Sequence, residues 1–194
     1  MITCIAILLG GCATVHPPKV EYRLNAKTPS QSFPQNECTG KSLKVAEAFS
    51  SSTLMSLSMY YVEGVNKQFA YSQAQWAVAP NYAISEKLLT LARDTKLFKS
   101  VQVSKSRSKN DLILETNIEE FMQYFSADFK ESHAKVGITI SLIDANTNSV
   151  LSTKKFNSKV DAKTLDADGG VVALDEALFE VLTEMNAWFS KVCP

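Results

Sequence analysis

Asp111-Leu112-Ile113-Leu114-Glu115-Thr116-Asn117-Ile118-Glu119 and Lys135-Val136-Gly137-Ile138-Thr139-Ile140-Ser141-Leu142 decide the fold. In the first run Leu112, Leu114, Thr116 and Ile118 alternate with Asp111, Glu115, Asn117 and Glu119, and Ile113 is the one apolar residue out of phase. In the second, Val136, Ile138, Ile140 and Leu142 alternate with Lys135, Gly137, Thr139 and Ser141. A period of two is that of a strand with one buried and one solvated face. The phase slips between Ile118 and Phe121, which predicts a bulge. Asp144 to Ser149 is turn-forming, and Val150 to Val160 returns as a third strand.

A sheet with one apolar face needs cover. From Gly170, apolar residues fall at Val171, Leu174, Leu178, Val181, Leu182, Met185, Trp188, Phe189 and Val192. This is the spacing of an amphipathic helix, whose stripe suits the apolar face of the sheet, or else a partner or lipid. A second helix is expected from Tyr82 to Thr95, after Trp76 and Pro80, with Ile84, Leu88, Leu91 and Ala92 inward. Leu97 to Val103 reads as a strand. Met59-Tyr60-Tyr61-Val62 and Gln68-Phe69-Ala70-Tyr71 flank Glu63 to Lys67, a hairpin with Gly64 and Asn66 available for positive φ. Leu43, Val45 and Phe49 belong to an earlier strand, bent at Ser50-Ser51-Ser52. The expected class is α+β: a mostly antiparallel sheet with two principal helices packed on one face, spanning 42–194 as one domain. There is no internal repeat.

The composition fits such a core. Of 194 residues, 45% are hydrophobic and 21% charged, which excludes wholesale disorder. Twenty Lys+Arg balance twenty Asp+Glu, so a general nucleic-acid footprint is missing. His16 and His133 are the two histidines, and no pair of His or Cys has zinc-ligand spacing. From Ala13 to Lys41 the chain shifts to Pro17, Pro18, Pro29 and Pro34 among Thr, Ser, Gln and Asn, an irregular lead-in with a short extended piece at Val20–Leu24.

The first twelve residues, MITCIAILLGGC, carry no charge. Ile5 to Leu9 is too short for a spanning anchor but suits the apolar region of a signal peptide. Leu9-Gly10-Gly11-Cys12 looks like the lipobox of bacterial lipoproteins; the other reading is an apolar N-terminal strand with a chance cysteine. On the lipobox reading, 1–11 is a signal peptide, Cys12 is lipidated, and 12–41 is tether and lead-in. Two buried acyl chains suffice for stable anchoring. Ala13 favours the outer membrane over the inner one. Cys4 then leaves with the signal. Cys38 and Cys193 remain, as a disulfide or as two free thiols. A bridge would close a loop of roughly 155 residues, stabilising by at most about 5 kcal/mol.

Catalytic motifs are sparse. Ser106-x-x-Lys109 and Ser152-x-x-Lys155 match a Ser–Lys pattern but lack partners, and His133 reads as exposed. Asp161, Asp166 and Asp168 before Gly169-Gly170 lack calcium-loop spacing; Asp166 or Asp168 suits a helix cap instead. Lys99, Lys105, Arg107 and Lys109 form a basic run, either a solvated turn or a contact for anionic head groups or an acidic partner. Tyr60, Tyr61, Phe69, Tyr71, Trp76 and Tyr82 cluster around the hairpin. Tyr and Trp join an apolar body to a polar tip; some of these residues belong to the core and others suit a protein or lipid contact.

Read together, these features resemble the ABC-type transport auxiliary lipoprotein family, which includes the paraquat-inducible lipoprotein C group. The likeness rests on the lipobox at Cys12, Tyr22-Arg23-Leu24, Leu43-Lys44-Val45, the Tyr-rich hairpin, and Trp76 with Pro80. Leu97-Phe98-Lys99-Ser100-Val101, the long strand pair, and a last helix with Ala177, Leu178 and Trp188 complete it. The resemblance implies a non-enzymatic, cofactor-free adaptor facing the periplasm. Its implied partners are a mammalian-cell-entry (MCE) domain protein and an ABC permease complex that move lipid between membranes, and it implies self-association in some members. A binding module of another envelope machine, such as lipopolysaccharide assembly or peptidoglycan synthase activation, is the alternative.

Overall fold

The computed structural model describes residues 18–31, 33–34 and 38–192. In chain order the elements are β1 (Val20–Tyr22), β2 (Ser42–Val45), β3 (Phe49–Ser50), a 3-10 turn (Ser52–Met55), β4 (Ser58–Glu63) and β5 (Lys67–Trp76). They continue with α1 (Pro80–Asp94), β6 (Ser100–Val103), β7 (Leu112–Phe125), β8 (Ser132–Asp144), β9 (Ser149–Asp161) and α2 (Ala167–Val192).

Strand β7 is the spine of one nine-stranded sheet. On one side it pairs antiparallel with β8 along its whole length, and β8 pairs antiparallel with β9. The two alternating runs thus face each other, Leu114 beside Leu142 and Ile118 beside Ile138. The expected bulge is present as a register shift between Ile118 and Glu120. On its other side β7 carries three short partners in succession: β2 at Leu112–Leu114, β3 at Asn117–Ile118 and β4 at Gln123–Phe125. The sheet branches there, into β2–β6 at one end and β4–β5–β1 at the other.

Those three partners all run parallel to β7, as do β1 with β5 and β2 with β6. The α+β class holds, but the sheet is mixed rather than mostly antiparallel. The cause is connectivity. Between β4 and β7 the chain returns through β5, α1 and β6, and such a crossover delivers a parallel partner. Two local expectations also change. The strand expected from Leu97 starts only at Ser100, because Leu97 and Phe98 are buried in the turn after α1, Phe98 edge-on to Phe189 at 5.9 Å. The bend at Ser50–Ser52 opens into the 3-10 turn.

Both helices pack on the sheet, α1 against β2 and β6, α2 across β7, β8 and β9, and they touch each other. Leu178, Leu182, Met185 and Phe189 of α2 are fully shielded, each contributing about 1.5–3 kcal/mol by burial. Phe156 of β9 meets Trp188 edge-on at 6.3 Å. Among the described residues no helix is long and apolar enough to cross a membrane.

The lead-in packs onto this body. β1 lies beside the end of β5, Val20 opposite Ala74 and Tyr22 opposite Trp76. The Asn25 N–H donates to the Asp175 carboxylate of α2 at 2.9 Å, and Ala26 is buried. Cys38 is fully buried and disulfide-bonded. The segment 1–11, Cys12 and Cys193 lie outside the described residues.

Candidate functional site

The hairpin, the end of β7 and the start of α2 meet at one end of the sheet. Tyr61 is the hub of an aromatic group there. Its ring lies 5.6 Å from Phe69, its direct cross-strand partner, 4.7 Å from Tyr71 and 5.3 Å from Phe125. Phe125 continues to Phe129 at 5.5 Å, in the turn between β7 and β8. Towards the body the group is closed by hydrogen bonds. The Tyr71 hydroxyl donates to Gln123 Oε1 at 2.8 Å, and Gln123 Nε2 donates to Ser132 Oγ at 2.9 Å. Gln123 and Ser132 are buried. Burial, first, and the neighbouring Tyr61 push the Tyr71 phenol far above its ordinary value of 10.0, so it stays a hydrogen-bond donor.

Towards solvent the group is open. Phe69 is 42% exposed, Phe129 45%, and Val65 at the hairpin tip 95%. Gly64, at φ 63, makes the hairpin turn, and its N–H donates to the Phe125 carbonyl, pinning the hairpin tip to the end of β7. Phe129 holds φ 53, a conformation bulky residues avoid. Two ion pairs lie at this end, Lys67 with Glu63 at 3.2 Å and Lys130 with Asp128 at 3.3 Å.

Helix α2 begins here and shows why the glycine pair is needed. A Cβ on Gly170 would sit 1.9 Å from Gln123 Oε1, and one on Gly169 would sit 2.3 Å from the Thr164 carbonyl oxygen. Asp166 caps the helix, accepting the Gly169 N–H at 2.9 Å; that bond and the Thr164 hydroxyl hold its carboxyl below the ordinary value. The Tyr22 hydroxyl donates to Asp168 at 3.0 Å. The aspartates here are thus engaged in capping and cross-linking.

Of the aromatic residues singled out in the sequence, Tyr61, Phe69 and Tyr71 come together. Trp76 is only 4% exposed and packs on Phe121, inside the core. Tyr60, half-buried, points to the opposite face from Tyr61 by strand alternation. Tyr82 lies on α1, lining a groove of about 180 Å³ with Leu89 and Val103. Phe125 and Phe129 were missed: they sit more than fifty positions beyond the hairpin, and no local pattern links them to it.

No catalytic set assembles among the other candidates. His133 is half-buried rather than exposed, stacked on Tyr124 at 5.5 Å. Burial, then Lys159 and Lys135, lowers its pKa, so the ring is neutral. Ser152 and Lys155 are three apart on β9 and face opposite ways, and Lys155 pairs with Glu119. Ser106 shares its hydroxyl with Ser108, and the loop carbonyls of both accept from Lys44 Nζ. Lys105, Arg107 and Lys109 belong to this loop, on the β2–β6 branch, away from the aromatic end. Among the described residues no three His, Cys, Asp or Glu side chains could hold a metal ion.

No family model matches the sequence, and no curated protein matches it significantly. Solved structures do share its fold. A Xanthomonas campestris protein assigned to the DUF330 family superposes with a TM-score of 0.77 at 16% identity, covering 89% of this chain and 96% of that one. An uncharacterised protein superposes at 0.65 with 13% identity, covering 90% of this chain and 100% of that one. A PelC dodecamer subunit from Paraburkholderia phytofirmans reaches 0.43 at 14% identity, over 83% and 97% of the two chains, too distant to bear on function. At such identities the likeness is one of fold, and it carries no residue role across.

Proposed function

We propose that this chain is a lipid-anchored, periplasm-facing auxiliary lipoprotein of an ABC/MCE-type intermembrane lipid transport system, acting as a non-catalytic adaptor. The observation that carries the reading is the exposed aromatic end, on a fold that keeps the Ser, Lys and His residues singled out in the sequence apart from one another. An adaptor held at a bilayer needs an apolar contact surface and no chemistry of its own. The order of elements along the chain, from the Tyr-rich hairpin through the long strand pair to the last helix, supports the same reading. The whole-length fold likeness to the DUF330 structure supports a self-contained domain of a recurring type. Lipidation at Cys12, next to Ala13, fits anchoring at the outer membrane. Energy for transport comes from a separate ATPase, and an MCE-domain protein and a permease are the proposed partners.

Crosslinking the full chain in intact envelopes, followed by affinity purification, tests this. Recovery of an MCE-domain protein with permease subunits is expected. Recovery of a peptidoglycan synthase or of lipopolysaccharide assembly components, with no MCE-domain partner, overturns the reading. Cys12→Ser should move the protein from the membrane to the soluble fraction.

A further inference from the structure

We infer that the aromatic end seats in the head-group layer of the bilayer to which the chain is anchored, so that the domain stands on its hairpin rather than hanging free on a tether. The inference rests on the proposed lipidation of Cys12 and deepens it by naming the surface that meets the lipid.

The first support is reach. β1 is hydrogen-bonded into the sheet from Val20, so the slack between anchor and body is only the stretch from Cys12 to Val20. Those eight steps span at most about 28 Å when fully extended. Val20 is therefore held within about 28 Å of the anchor.

The second support is direction. β1 runs parallel to β5, with Val20 beside Ala74. β5 starts at the hairpin turn, at Lys67, and runs away from it. The chain arriving at Val20 thus comes from the hairpin side. From Ala74 back to Lys67 is about 24 Å along the strand at 3.4 Å per residue, within the reach of the linker. The opposite end of the sheet, at the β8–β9 turn, would require the chain to reverse and cover a greater length.

The third support is chemistry. Val65, Phe69 and Phe129 are exposed apolar residues at this end, and Tyr61 and Tyr71 stand behind them with hydroxyl-bearing rings. An apolar tip backed by amphipathic aromatics suits burial about 5–10 Å into the head-group and acyl boundary. Lys67 and Lys130 are each engaged by a carboxylate, Glu63 and Asp128, and Glu131, Asp166 and Asp168 add acidic charge, so attraction to anionic lipid is not what draws this end to the bilayer. The contact is apolar, and added salt should not weaken it. The basic loop with Lys105, Arg107 and Lys109, on the other branch, is left facing the periplasm.

The test uses the full lipidated chain in vesicles of phosphatidylethanolamine and phosphatidylglycerol, carrying one environment-sensitive fluorophore. The label goes on Val65→Cys or, as a control, on Asn146→Cys in the exposed β8–β9 turn; Cys38, being disulfide-bonded, takes no label. Both chains should float with the vesicles. Aqueous iodide should quench the label at 65 at least about threefold less than the label at 146, at low and high salt alike, as interfacial burial requires. If both chains float and both labels are quenched equally, or 146 is the shielded one, the seated orientation is wrong while the anchor stands. If neither chain floats, the anchor reading falls and this inference falls with it.

Discussion

Gly170→Ala isolates the strut behind the aromatic end. Alanine is ordinarily favoured over glycine in a helix by about 1 kcal/mol. Here the added methyl would sit 1.9 Å from Gln123 Oε1 and 2.5 Å from Gln123 Cδ. The carboxamide must move, and it is held at both ends, by the Tyr71 hydroxyl and by Ser132 Oγ. Losing both bonds forfeits about 1 kcal/mol each, and leaving a buried polar group unpaired costs about 1–3 kcal/mol more. Against the gain in propensity, the net is a loss of about 2–4 kcal/mol, or a fall in Tm of about 9 °C at mid-range for a domain of this size. Urea unfolding of the soluble Cys12→Ser chain measures it. The sharper readout is a cycle with Gln123→Ala. With the carboxamide gone the obstacle is gone, and Gly170→Ala should then stabilise by up to about 1 kcal/mol, a reversal of sign. If Gly170→Ala alone is as stable as the parent, Gln123 swings aside freely and the strut is not rigid.

Three further outcomes are expected. Asp166, Asp111 and Asp144 all have carboxyls held below 3.8, chiefly by backbone N–H donors. Their folded pKa values lie below the unfolded ones, so their stabilisation is complete above about pH 4 and is lost as pH falls through the lowered values. Urea midpoints should therefore drop on acidification below that point, and a midpoint flat with pH would contradict it. Phe129→Asn deletes a ring but suits φ 53, so relief of about 1–2 kcal/mol of strain offsets a lost aromatic pair of about 0.5–1.5 kcal/mol. Its stability should stay within about 1 kcal/mol of the parent, whereas Phe156→Ala in the core should lose about 3–5 kcal/mol. Peptide mapping without reductant should place Cys38 in a bridge with Cys193, the cysteine left once Cys4 is cleaved off and Cys12 is acylated; a Cys38 peptide linked elsewhere contradicts that division of the thiols.

The parts of the fold legible in the sequence are those set by periodicity. Alternation over Leu112–Ile118 and Val136–Leu142 gave two strands, the phase slip gave the bulge, and the stripe from Val171 to Val192 gave α2. Alternation reports which face is buried; it does not report which neighbour supplies the hydrogen bonds. The parallel docking of β2, β3 and β4 along β7 was invisible for that reason. Leu97-Phe98 misled because burial in a turn leaves the same apolar trace as burial in a strand. The aromatic end was half legible. Tyr61, Phe69 and Tyr71 share a face, but β4 and β5 slip register between Ser58 and Tyr60, opposite Gln75 and Ala70. That slip changes the parity of β5, so the even-numbered Ala74 and Trp76 are buried, whereas before it the odd-numbered Phe69 and Tyr71 share the face of Tyr61.

Among the described residues three strand-to-strand turns use the left-handed region, and the residues at those positions differ. The hairpin turn has Gly64 at φ 63 and the β8–β9 turn has Asn148 at φ 56, the two residue types that adopt it at least cost. The β7–β8 turn has Phe129 at φ 53. The turn imposes this backbone. The Phe129 N–H donates to the Ser126 carbonyl, and the Ser126 hydroxyl accepts from the Lys130 and Glu131 N–H groups. Backbone conformation alone would select asparagine or glycine at 129, the types found at 148 and 64. A ring there is held half in solvent, next to Phe125, which in turn meets Tyr61. Strain of this kind persists where the surrounding structure over-determines the backbone, as the hydrogen bonds around Ser126 do here. The third turn is thus the one of the three whose residue is unsuited to its backbone, and it lies at the aromatic end.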